Sequence, residues 1–100
     1  MKNSLLEFVT VSQLQTFLRD SPGSAVVLDV RFAIEYRRGH RPGSLNIPIS
    51  SLREKLNEGL SREATYLVDF GEDKRSQLAA LLMIECGFNA LLIPAALAVA

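Results

Sequence analysis

Tyr66-Leu67-Val68-Asp69-Phe70-Gly71-Glu72-Asp73-Lys74-Arg75-Ser76 passes from an apolar run to a charged one at Gly71. The opening residues suit a buried strand, the middle a tight loop, and the end the first turn of a helix. In an α/β sheet, sites form at the carboxyl ends of strands, where a helix N-terminus points free N–H groups at a ligand. A nucleophile in this unit would stand at the first loop position, which is Phe70. A benzyl group has no lone pair to donate and no proton to lose, so nucleophilic chemistry has no starting atom there.

Outward from this unit, helix and strand signals alternate. Phe8-Val9 is a short strand candidate, and Thr10-Val11-Ser12-Gln13 has the form of a capping box. Leu14, Phe17 and Leu18 recur at helical spacing up to Asp20, and Ser21-Pro22-Gly23-Ser24 is a turn. Ala25 to Val30 is a continuous apolar run of the kind buried on both faces of a parallel sheet. A short helix is expected from Phe32 to Arg38, a brief strand at Leu45-Asn46-Ile47 and a one-sided helix from Ser51 to Leu56. Tyr66 to Asp69 is the next strand. Ser76 to Glu85 is the strongest helix, with Gly87 as its stop, and Ala90 to Ile93 closes as a strand. This alternation implies βαβ units and right-handed crossovers.

One hundred residues, 48% of them hydrophobic, suit one packed domain spanning 1–100. Eleven basic and eleven acidic side chains cancel. That argues against nucleic acid or an anionic membrane as a general partner, because both favour a basic excess. Cys86 is the only cysteine, so no intrachain disulfide or multi-cysteine metal site forms; a reducing, cytoplasmic setting is expected. No metal or other cofactor is called for. The apolar run Ala90 to Ala100 falls short of the roughly 20 residues that span a bilayer, and suggests a piece of a longer chain.

Leu28-Asp29-Val30-Arg31, Glu35-Tyr36, Gly39-His40-Arg41-Pro42-Gly43-Ser44 and Asn46-Ile47-Pro48 resemble the rhodanese family pattern D-V-R-x-x-x-E-[FY]-x-x-G-H-I-P-G-A-x-x-I-P. Arg75-Ser76, the Ala/Leu helix and Gly87-Phe88-Asn89 resemble its later R-S-x-x-A-x-x-L-x-x-x-G-F-x-N-V. The resemblance implies a rhodanese-like α/β fold, a five-stranded, mainly parallel sheet with helices on both faces. It also implies a six-residue loop, Phe70-Gly71-Glu72-Asp73-Lys74-Arg75, whose first residue in active members is a cysteine carrying sulfane sulfur as a persulfide. Ala95-Ala96 stand where the family usually has a glycine pair, and the family's closing helix is not expected within residues 1–100.

Two departures oppose that chemistry. Phe70 replaces the thiol, and Glu72 and Asp73 repel an incoming anion and compete for its N–H donors. The expectation is an inactive member acting as a regulatory or protein-interaction module, with an unknown protein or adjacent domain as partner. One alternative uses Cys86 as a residual sulfur carrier, although Ala79, Leu82, Met83 and Cys86 form a helical stripe facing the core. Another is a small-anion sensor built from Arg75 and Ser76 at the loop. Asp29 is expected to brace backbone, Arg31 to pair with Glu35 across a helical turn, and His40 to sit in a fixed turn. Arg37, Arg38, His40 and Arg41 form a basic cluster, either a solvated face or a contact for an acidic partner or RNA.

Overall fold

Val26, Val27 and Leu28 cannot all point to one side of a strand, so a strand made of them is buried only if both faces are covered. The computed structural model, described over residues 6–20 and 23–97, meets that requirement. Its elements are α1 (Val11–Asp20), β1 (Ala25–Asp29), α2 (Ala33–Arg38), β2 (Leu45–Asn46), α3 (Ile49–Leu56), β3 (Thr65–Val68), α4 (Lys74–Glu85) and β4 (Asn89–Leu92), followed by a 3-10 turn at Ala95–Leu97. Ser21 and Pro22 of the expected turn, and Ala98 to Ala100 of the apolar tail, lie outside the described residues.

The strands run parallel in the order β2-β1-β3-β4, with Val26 opposite Tyr66, and Tyr66 opposite Ala90. One core packs Leu28, Tyr66, Val68 and Leu92 against Leu52 and Leu56 of α3 and Ala79, Ala80 and Met83 of α4. The other sets Val27, Leu67 and Ile93 against Val9 and Leu14. Full burial contributes about 1.5–3 kcal/mol for a side chain such as Leu67.

The described sheet has four strands, where five were expected. Phe8 forms a single parallel bridge to Leu92. The Val9 amide donates to the Leu92 carbonyl and the Leu92 amide to the Glu7 carbonyl, and Val11 already opens α1. The helix start therefore cuts the fifth strand short. Its signal is as read: the Thr10 amide donates to Gln13 Oε1 and the Gln13 amide to Thr10 Oγ1. At the far end of α4, the Gly87 and Phe88 amides fold back to the Ile84 and Met83 carbonyls. Gly87 sits at φ 90°, which glycine adopts without steric cost.

Candidate functional site

The carboxyl ends of β1 and β3 carry Asp29 and Asp69, each almost fully buried. A buried carboxylate is costly unless paired. Each has an arginine. Arg31 Nη2 lies 2.8 Å from Asp29 Oδ2, and its Nε donates to the same carboxylate. Arg41 Nε lies 3.0 Å from Asp69 Oδ2. These two pairs form the floor on which the loop rests.

Phe70 has φ 56°, the left-handed region that costs a side-chain-bearing residue roughly 1–2 kcal/mol. The surroundings hold it there. Its amide donates to Asp69 Oδ1 at 3.1 Å, its carbonyl accepts from the Asp73 amide at 2.9 Å, and the Arg31 guanidinium lies 4.0 Å from its ring centroid. Gly71 follows in a space that admits no side chain. A Cβ there would stand 2.7 Å from Phe8 Cε2 and 2.8 Å from the Ile93 carbonyl, which the Gly71 amide already engages.

Asp73 caps α4, its Oδ1 accepting from the Arg75 amide at 2.8 Å. An internal carboxylate thus satisfies one of the free N–H groups at the start of α4. Arg75 is engaged from two sides, by Glu35 at 2.7 Å and Asp73 at 2.8 Å. Bonding to Asp73, then to Glu35, raises the Arg75 pKa. The same bonds hold both carboxyls below their ordinary range, Glu35 being helped further by the Phe32 amide. Arg31 is raised chiefly by its bond to Asp29. Ser76 is buried, and its hydroxyl donates to the Asp69 carbonyl at 2.7 Å.

The segment after β4 is fastened onto the loop. Glu72 Oε1 accepts from the Ala95 amide at 2.6 Å, Arg41 Nη2 donates to the Leu97 carbonyl, and Ile93 accepts from Gly71. Gln77 braces the loop from α4, its Nε2 donating to the Gly71 carbonyl at 3.0 Å.

All six loop residues, Phe70 to Arg75, are therefore brought together with Ser76. Cys86 is not. It caps the opposite end of α4, a helix of 12 residues and so about 18 Å long. It packs partly buried against the core, and its carbonyl accepts from Arg62 Nε. The expected Arg31–Glu35 pair does not form, because Asp29 engages Arg31 and Arg75 reaches Glu35. His40 stacks on Tyr36 at 3.6 Å, with Nδ1 2.7 Å from the Tyr36 carbonyl. The role of Arg41 escaped sequence reasoning, although it stands where the family pattern carries isoleucine. An arginine at an apolar position implies a buried acid nearby, and Asp69 is that acid.

A family model described as rhodanese-like domain matches residues 10–94. Over 70 residues the chain is 34% identical to "Putative sulfur carrier protein YrkF" of Bacillus subtilis, covering 70% of this chain and 37% of that protein. Over 48 residues it is 38% identical to the HTH-type transcriptional regulator Rv0324 of Mycobacterium tuberculosis, covering 48% and 21%. The chain thus spans well under two thirds of the length of these relatives. A rhodanese-related protein from Thermoplasma volcanium superposes with a TM-score of 0.72 at 31% identity, covering 88% of this chain and 83% of that one. The single-domain sulfurtransferase RDL2 of Saccharomyces cerevisiae shares the fold with a TM-score of 0.72 at 18% identity, covering 89% and 83%.

Proposed function

This chain belongs to the rhodanese-like domain family, and from that premise we propose that it has lost sulfurtransferase chemistry and serves as a regulatory or protein-interaction module. One observation carries the reading: Phe70 occupies the first loop position with its ring against Arg31. The internal carboxylates support it, since the Arg75 amide and guanidinium are both engaged by Asp73. The matched part of YrkF and of Rv0324 is a fraction of each protein, which favours work beside an adjacent domain. The same reading puts the domain in the cytoplasm, on the support of a single thiol. Incubation with thiosulfate and cyanide tests the core of it. Thiocyanate is expected to stay at the buffer level, and production clearly above that level would end the proposal.

A second reading takes its support from the name of YrkF. Cys86 would act as a sulfur carrier. Its thiolate would attack the outer sulfur of thiosulfate, the S–S bond would break, and sulfite would leave with the electron pair. Rapid labelling of native Cys86 and a sulfane adduct by mass spectrometry would favour this over the silent domain.

An anion sensor at Arg75 and Ser76 requires Arg75 to exchange Asp73 or Glu35 for the ligand. A rise in melting temperature with thiosulfate or phosphate would reveal it, because a ligand bound only by the native state stabilises that state.

A further inference from the structure

Short helix α2 presents an outer face unlike the rest of the loop's surroundings. Phe32 and Ile34 are 51% and 50% exposed. Arg37 and Arg38 follow Ile34 by one helical turn and share its face. Phe32 lies beside the loop, its ring centroid 5.3 Å from the Arg75 guanidinium carbon, and Lys74 precedes Arg75 on α4.

Charge at this end of the sheet does not balance. Asp29 is taken by Arg31, Asp69 by Arg41, Glu35 and Asp73 by Arg75, and Glu72 by the Ala95 amide. Among the described residues, Arg37, Arg38 and Lys74 have no acidic partner. Six basic side chains thus stand against five acidic ones at this end, and the unpaired charge of Arg37 and Arg38 lies one helical turn from exposed Ile34. Phosphate recognition has no use for an exposed Ile34 beside Arg37 and Arg38, whereas a protein segment can seat a side chain on it.

We propose that this α2 face docks an acidic protein segment with an apolar anchor. The anchor packs on Ile34, and flanking carboxylates meet Arg37 and Arg38. The proposal rests on the interaction-module reading and names the partner chemistry for it. It has its own test, because thiocyanate formation would overturn the silent domain without touching a binding titration.

The probe is a fluorescein-labelled peptide of repeated Asp-Leu-Glu units, read by polarisation. Two competitors of equal charge accompany it, the same peptide with serine for leucine and a single-stranded oligouridine. The peptide is expected to bind. Its affinity should fall at least about tenfold in Ile34→Glu, and as much in the Arg37→Glu/Arg38→Glu double variant. Both substitutions lie on exposed positions, and circular dichroism checks that the fold survives. Absence of binding overturns the proposal, as do equal binding of the serine peptide or the oligouridine, or undiminished binding by either variant.

Discussion

The Arg31 guanidinium lies 4.0 Å from the centre of the Phe70 ring while its edges bond Asp29 and the Gly39 carbonyl. Face and edge of one cation are thus both occupied. The residue that ends β1 and the residue that opens the loop after β3 are joined through it, across the hydrogen-bonded pair of strands. A cation over an aromatic face is worth about 0.5–2 kcal/mol, more as water is excluded. That is comparable to the strain of holding Phe70 in the left-handed region.

The backbone at Phe70 makes a measurable claim. In ordinary secondary structure alanine outranks glycine by roughly 0.5–1 kcal/mol. At φ 56° the order should reverse, with Phe70→Gly more stable than Phe70→Ala by about 1 kcal/mol. Urea unfolding of the two variants measures it. Alanine equal to or above glycine would show that position 70 is not held left-handed.

Asp69 meets Arg41 with little water near either, the side chains being 1% and 10% exposed. Asp69→Asn keeps the volume but leaves Arg41 without its counter-charge. The expected loss is about 3 kcal/mol of unfolding free energy, in the range found when one partner of a buried pair is removed. Because Arg41 also reaches the Leu97 carbonyl, amide exchange at Ala95 to Leu97 should quicken too. A loss below about 0.5 kcal/mol, as at a surface pair, would refute the assignment.

The parts legible in the sequence are those with local causes. The Thr10–Gln13 capping box lies within four residues, and the run Ala25 to Val30 states its own two-sided burial. What the sequence hid depends on partners far away. Arg75 reaches Glu35 across 40 positions, and Arg41 reaches Leu97 across 56. Arg31 and Glu35 carry the spacing of a helical pair, yet Arg31 precedes α2 and turns back to Asp29. The left-handed Phe70 gave no sign because such positions are usually announced by glycine. The fifth strand was a matter of length, since two β-favouring residues do not reveal that only one will pair.

Glu35 and Asp73 have carboxyls held below their ordinary range by Arg75. The unfolded chain therefore binds protons that the folded chain refuses, and stability falls as pH drops below about 5 and through the lowered values. In Arg75→Met both carboxyls return towards ordinary titration, and the acid limb should flatten. Midpoints of urea unfolding at pH 7 and at steps down to pH 3 check this. An equally steep acid limb in the variant would mean that other groups govern it.

Gly71 has no room for a methyl group, with three atoms within 2.9 Å of where its Cβ would stand. Two of them, the Ile93 carbonyl and Leu92 Cβ, belong to the end of the sheet and yield poorly. Gly71→Ala should cost about 1–3 kcal/mol, as overpacking does, and loosen the bond from residue 71 to Ile93. Thermal unfolding with amide exchange at residue 71 measures both, and a variant as stable as the parent would contradict the close approach.

Restoring the missing atom separates two causes of silence. If Phe70 alone blocks the chemistry, Phe70→Cys should produce thiocyanate from thiosulfate and cyanide. The loop predicts otherwise. A thiolate at position 70 would stand beside Asp69, whose Oδ1 faces the residue 70 amide, and near Asp73, which takes the Arg75 amide. Arg31, Arg41 and Arg75 would offer it little charge, being bound to Asp29, Asp69, Asp73 and Glu35. A thiol without net positive surroundings keeps a high pKa and reacts slowly at neutral pH. Thiocyanate should therefore stay at the control level in Phe70→Cys, while labelling at rising pH shows the new thiol accessible and ionising late. Turnover in this single variant would place the whole loss at the ring.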